Sequence, residues 1–323
     1  GLVDRAVTRV VTPGTVVDDE LLAPDSTYVA AVARSPGEDV RHAVAAVDVS
    51  TGECLVTSAP SHEGAVDELA RIGPAELLVG PETVDPTDEL EADPMVTGGN
   101  GERFDRERAA ATLERYVATP TAVLDGDAEV RACGAVLAYA EYTQGDDGPL
   151  GYVTRIERYD PRESLRLDPA ARRSLELFET RGASDAPALA DVVDETVSAL
   201  GRRRLASWLR RPLVDEARIG GRLDAVGALA DAGVVRDRLR DRLREVYDLE
   251  RLAGRVSRER ANARDLRSLA ATLAAVPDLR EALEEVAGSC DRLDGLRERL
   301  DPLADVRDLV ESAVRPDPPV EIT

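Results

Sequence analysis

The sequence predicts an α/β domain followed by an all-α domain. Three observations carry that expectation. Between Tyr28 and Val79, short runs rich in small and β-branched apolar residues are separated by turn signals. Beyond Asp168, apolar residues recur at helical spacing almost without interruption. The chain, at 323 residues, is long enough for two separate cores.

Val7 to Val11 has strand character and runs into Thr12-Pro13-Gly14-Thr15, a turn by its Pro-Gly pair. Two further strands are expected at Tyr28–Ala33 and His42–Val49. Ser50 to Glu53 turns the chain, and Cys54–Ser58 returns as a third strand. Ser61 can cap a helix reaching Arg71, and Pro74 to Val79 reads as a short buried strand. Pro81 to Arg103 is a loop, with a strand at Met95–Thr97. Asp105 opens a helix with Leu113, Tyr116 and Val117 on one face, and Ala128–Thr143 forms another. Gln144 to Gly151, rich in Gly and Asp, is expected to be a hinge, and Tyr152–Tyr159 to be extended.

The stretch Leu165–Leu229 holds three expected helices. Asp168 caps the first, with Pro169 at its first position, and Leu175 and Phe178 follow at helical spacing. Thr180 to Pro187 is a break. The second carries Val193, Val197, Leu200, Leu205, Trp208 and Leu209 on one stripe and stops at Pro212. Asp215 caps the third, whose stripe is Ile219, Leu223, Val226 and Leu229. Later stripes are Val235/Leu239/Leu243, Leu249/Leu252/Val256 and Leu266/Leu269/Leu273/Val276, the last stopped by Pro277. Leu293, Leu296 and Leu300 precede Pro302, and Leu303, Val306 and Leu309 follow. The prolines of Arg315–Val320 exclude a helix there.

All 41 basic residues are arginine, against 63 acidic residues, for a net charge of −22. Such a surface, with 43% hydrophobic residues but few aromatics, points to a globular protein of a salt-in halophile, where charge repulsion is screened. An acidic mesophilic protein or a nucleic-acid mimic is the competing account. The charge is uneven: residues 1–160 hold 31 acidic residues and 12 arginines, net −19, whereas residues 161–323 are close to balanced at −3. The cysteines Cys54, Cys133 and Cys290 have no metal-ligand spacing and read as small buried side chains of a reducing compartment. No run approaches the 18 apolar residues of a membrane span, so a cytoplasmic protein is expected. The first residue is Gly1 and the single methionine is Met95, so the chain is expected to be a piece of a longer protein.

Several long motifs carry a resemblance. D-x-A-x-R-R-x-L-E-L at Asp168–Leu177, L-x-x-V-x-D-x-T at Leu189–Thr196 and G-R-R-R-L-x-x-W-L-x-x-P-L at Gly201–Leu213 resemble the core, or lever, domain of the MutS family of DNA mismatch-repair proteins. D-L-E-R-L-x-x-R at Asp248–Arg255 and A-R-D-L at Ala263–Leu266 are similar to the same domain further on. A-A-V-D-V-S-T-G-E, ending at Glu53, resembles the opening hairpin of the MutS connector domain, an RNase H-like α/β fold. T-R-V-V-T-P-G-T with Asp19–Leu22 resembles the end of the mismatch-binding domain. The resemblance therefore implies a domain tail and linker over residues 1–22, an RNase H-like connector over 23–160 and the first segment of the helical core over 161–323, ending where the clamp would begin.

It also implies a function: coupling mismatched-DNA binding to the ATPase domains, and docking MutL through the connector. The family's ATPase site and its Phe-x-Glu wedge lie in domains other than these, and without lysine no G-x-x-x-x-G-K-[ST] loop exists. ATP and Mg are expected of the parent protein, not of this chain. No catalytic, cofactor-binding or metal-ligating residue is therefore assigned. The parent is expected to be a homodimer and the piece a monomer, with no membrane partner.

Two other readings compete. Asp48 on a first strand is where a two-metal RNase H-like nuclease would place a ligand, with Glu82, Asp127 and Glu129 as conceivable partners. Its simpler role is to bond the backbone of the following turn. A free-standing interaction protein is the third reading. His42 and His62 read as surface or strand-edge residues. Trp208 reads as core, and Arg202, Arg203 and Arg204 as structural and partly paired. Arg236, Asp237, Arg240, Asp241 and Arg244 read as intrahelical pairs.

Overall fold

Valine, alanine and leucine runs separated by tight turns build the sheet that organises the first half of the chain. The computed structural model describes residues 12–15, 26–36, 41–90, 93–98, 101–144, 148–180 and 186–319. The expected strand at Val7–Val11 and the Asp19–Leu22 motif lie outside them, as does most of the Thr180–Pro187 break. By internal contacts the chain divides into two units, Gly1–Ala186 and Pro187–Thr323.

The first unit is a mixed sheet with helices on both faces. Its strands are β1 (Tyr28–Arg34), β2 (His42–Asp48), β3 (Cys54–Ala59), β4 (Glu76–Val79), β5 (Met95–Thr97) and β6 (Ile156–Arg158). They lie in the order β5-β4-β1-β2-β3-β6. β2 lies between β1 and β3 and is antiparallel to both, while β4, β5 and β6 join in parallel. The turn between β2 and β3 depends on Gly52, whose φ of +82° favours glycine.

Side-chain alternation splits the core in two. Val29, Ala31, Ala45 and Val47 face α2 (Arg106–Leu113) and α3 (Asp127–Gln144). Ala30, Val32, Val44 and Ala46 face α1 (His62–Ile72). Asp105 and Ser61 cap α2 and α1 as their sequences predict. α2 and α3 cross at contact distance because residue 134 is glycine: a Cβ there would stand 2.5 Å from Ala109 Cα. Tyr116 and Val117 lie past the end of α2 but still pack on this core.

The expected hinge at Gln144–Gly151 is corrected. Residues 145–147 lie outside the described chain, but Gln144, Leu150, Tyr152 and Val153 are all buried, and the Tyr152 hydroxyl donates to Val49 O. The described residues on both sides are pinned to the core instead of forming a free hinge. α4 (Pro169–Ser174) also belongs to this unit, capped by Asp168 and tied by Arg172 to the carbonyl of Ala70. Its helix stops before Leu175, which is exposed.

The second unit is helical: α5 (Leu189–Val193), α6 (Ala199–Arg210), α7 (Glu216–Asp231), α8 (Gly233–Arg244), α9 (Leu249–Ser257), α10 (Ala263–Glu284), α11 (Asp291–Arg299) and α12 (Ala304–Ala313). Val235 and Leu239 of α8 meet Leu279, Ala282 and Leu283 of α10 and Leu293 of α11.

Three expectations fail here, each for a physical reason. The stripe from Val193 to Leu209 is two helices, not one. Asp194 Oδ1 accepts from the amide and hydroxyl of Thr196, and Ser198 caps α6 by accepting from Gly201 N. Short polar side chains here outcompete helical backbone bonding. Pro277 does not end its helix, for α10 runs through it to Glu284. The missing amide bond costs about 3 kcal/mol. Burial of Leu273, Val276, Leu279 and Leu283 on the two sides of the proline offsets that cost. Finally, α7 turns Ala225, Ala228 and Leu229 to the core and leaves Leu223 and Val226 about two-thirds exposed. Alanine packs closest, so the helix rotates toward its small residues.

Candidate functional site

Asp48 is the residue that separates the nuclease reading from its simpler alternative. It is fully buried at the end of β2, where Oδ1 accepts from Ser50 N at 2.9 Å and Ser50 Oγ at 2.7 Å. That is the turn-supporting geometry. Glu129 accepts from Ser58 Oγ, Asp125 N and Arg158 Nε. Asp127 pairs with Arg106 at 2.7 Å, and Glu82 sits in an exposed turn at φ +58°. Each carboxylate thus has its own role, and no group of three or more metal-binding side chains exists among the described residues.

Asp48 Oδ2 is buried without a hydrogen-bond partner, whereas other buried carboxylates of this unit are held one by one. Glu76 accepts from the hydroxyls of Thr97 and Tyr139 and from Gly14 N. Glu141 takes Arg115 at 2.6 Å and the Tyr116 hydroxyl at 2.8 Å. His42, expected near the surface, is buried at the start of β2. Burial and then the neighbouring His62 and Arg34 hold its pKa below the usual histidine value. His62 is half-buried and meets Glu89 at 2.7 Å. The three cysteines are buried free thiols, with Cys54 Sγ and Cys133 Sγ 4.0 Å apart. A shallow cleft of about 360 Å³ lies beside α1, lined by Glu63, Val66, Asp67, Glu89, Arg166 and Asp168. Its one cation, Arg166, is already paired with Asp67.

The arginines of the helical unit fall into two kinds. Arg202 pairs with Asp194 at 3.1 Å, and Arg203 forks onto Asp248 and also reaches Glu250, each at 2.6 Å. Burial works against the Arg203 charge, but those hydrogen bonds raise its pKa above the ordinary arginine value. Asp248 is held below the usual carboxylate range: burial opposes its charge, and Arg203 more than compensates. Arg244 with Asp241 is an expected intrahelical pair three residues apart, whereas Arg236 meets its sequence neighbour Asp237 and Arg240 crosses to Glu195.

Arg204, Arg222 and Arg292 are different. They converge from α6, α7 and α11 on Trp208, at 5.8, 3.7 and 5.9 Å from its ring centroid. Trp208 is partly buried rather than core, and its indole N–H is buried without a hydrogen-bond partner. Sequence reasoning missed this cluster because it joins residues 88 positions apart. One signal was present. None of the three arginines has an acidic residue three or four positions away on either side.

Comparison with known proteins places both units. Residues 27–165 match MutS domain II and residues 170–323 match MutS domain III. The chain is 49% identical over its whole length to the DNA mismatch repair protein MutS of Natronomonas pharaonis, covering 38% of that protein. It is 47% identical, again over its whole length, to MutS 2 of Haloarcula marismortui, covering 36% of it. To MutS of Symbiobacterium thermophilum it is 40% identical, covering 38%. The chain thus spans between a third and two-fifths of the length of these relatives, most of which come from halophilic archaea. Two consecutive matches account for nearly the whole chain, and they agree with the motifs around Asp48 and Trp208: this chain belongs to the MutS family and carries its domains II and III.

Proposed function

We propose that the chain is the non-catalytic middle of a mismatch-repair protein. Residues 23–160 serve as connector and residues 161–323 as lever. They couple binding of mismatched duplex DNA to ATP and Mg use elsewhere in the parent protein. The observation that carries this reading is the unbroken order of domain II and domain III over residues 27–323. The domain limits at 22 and 160 belong to the same reading. So does the RNase H-like fold, supported by the antiparallel β1–β2–β3 set flanked by parallel β4 and β5.

The connector is the part that docks MutL. β5, at one edge of the sheet, leaves Met95 and Val96 exposed, and an edge strand with apolar side chains is the kind of surface a partner pairs with. The test is retention of a haloarchaeal MutL protein on immobilised chain in molar KCl. Retention weakened by Val96→Glu supports docking through that edge. No retention removes MutL docking from this chain. Duplex cleavage with Mn²⁺ that is lost in Asp48→Ala would replace the whole reading with the nuclease. Light scattering should give a monomer, since the contacts that pair the parent protein lie in its ATPase domains.

A further inference from the structure

Trp208 stands among guanidinium groups that have no counter-charge. Arg222 stacks on its ring at 3.7 Å, and Arg204 and Arg292 approach within 6 Å. Among the described residues, none of these three arginines has a carboxylate within ion-pair distance, in a chain carrying 63 acidic residues. Neighbouring Arg203 shows the contrast, with two carboxylates of its own.

Two buried donors lack an acceptor here: Trp208 Nε1 and Arg222 Nε. Indole and guanidinium groups donate only, so neither can satisfy the other. The two donors belong to side chains in direct contact, with Arg222 Cζ over the Trp208 ring at 3.7 Å from its centroid. Buried donors left unmade are costly, so what completes the site is an acceptor. Burial, with Arg292, Arg204 and Arg218 nearby, pushes the Arg222 pKa below its ordinary value, a strain an anion relieves. A ligand with several oxygens uses such donors better than chloride does, because planar guanidinium forks match oxyanion edges.

We propose that Arg204, Trp208, Arg222 and Arg292 form a binding site for a phosphate-class oxyanion, either free phosphate or a phosphate of a nucleic acid. The site lies within the helical unit and stands or falls independently of MutL docking.

Trp208 is the single tryptophan, so its emission reports the site without a label. The full chain is titrated with inorganic phosphate in KCl at constant ionic strength. A saturable change in Trp208 emission is expected. Arg222→Gln should weaken it about tenfold, the loss of one charge-assisted hydrogen bond. Arg238→Gln, whose parent side chain pairs with Glu285, should leave it unchanged. If Arg222→Gln unfolds the unit, the exposed Arg292→Gln carries the same test. A second arm uses a short oligonucleotide without terminal phosphates. Saturation by the oligonucleotide alone assigns the site to the nucleic-acid backbone, and saturation by phosphate alone assigns it to the free ion. No saturable change in either arm, or a titration unchanged in Arg222→Gln and in Arg292→Gln, overturns the proposal.

Discussion

The two units of this chain handle buried charge in opposite ways. In the α/β unit, Asp48, Glu76 and Glu129 are completely buried. In the helical unit, among the described residues, no acidic side chain is buried, and its best-sheltered ion pair, Arg203–Asp248, keeps some solvent contact. Side-chain partners hold Glu141 and most of Glu76, but free backbone donors add to the difference. Turns and loop amides around a sheet offer N–H groups to a carboxylate, as Ser50 N does for Asp48 and Asp125 N for Glu129. Helices consume their own amides except in the first turn, so charges between helices must find other side chains and stay near water. The same contrast holds for apolar groups. The sheet closes over Val29, Val44 and Val47, whereas the helices leave Leu223, Val226, Val234 and Leu309 open.

The sharpest way to break this comparison is Gly134→Ala. The added methyl meets the backbone of Ala109, which cannot swing aside, so a loss of about 3 kcal/mol is expected in denaturant unfolding followed by circular dichroism. A loss below about 1 kcal/mol would mean the α/β core is looser than its burial suggests.

Arg203→Gln tests the helical unit. It removes the forked partner of half-buried Asp248 and leaves that carboxylate Arg251 alone, and a loss of about 2 kcal/mol is expected. The pH dependence carries a sign. An aspartate whose folded pKa is depressed contributes stability that is fully present above its unfolded pKa of about 4 and is lost as pH falls through the folded value. In Arg203→Gln that contribution should shrink to what Arg251 alone supplies, partly flattening the acid limb of the stability curve below about pH 4.

Pro277→Ala should act in the other direction. It restores an amide in the middle of α10, and a gain of about 1 to 2 kcal/mol is expected, measured as a raised Tm. Unchanged stability would show that the helix has adapted fully to the ring. The smallest effect is expected from Leu223→Ser, within about 0.5 kcal/mol, because that side chain contributes little to the core. A large loss there would erase the distinction between closed and open apolar faces.

Local signals made much of this architecture legible. Ser61, Asp105, Asp168 and Asp215 cap the helices they were expected to cap. The runs at Tyr28, His42, Cys54 and Met95 are strands. What was not legible depends on competition or distance. The Asp194–Ser198 interruption reflects side chains bonding the backbone instead of extending a stripe whose apolar spacing looked continuous. The continuation of α10 through Pro277 reflects tertiary burial that no single-helix pattern records. The Trp208 cluster joins three helices, and intrahelical spacing alone cannot show which arginines meet.

The route by which the chain leaves the sheet has a mechanical consequence. β6 runs parallel to β3, and Tyr159 follows it, giving its amide to Val56 O while its carbonyl accepts from Thr57 and its hydroxyl reaches Glu68. Ser164, Arg166 and Arg172 then fasten to Arg71, Asp67 and Ala70 of α1. A tug on the chain beyond α4 therefore loads a series of lateral bonds at once, in shear, instead of peeling them apart one at a time. The exit from the sheet behaves as a riveted strap, and tension applied to it is delivered to β3 and α1 together.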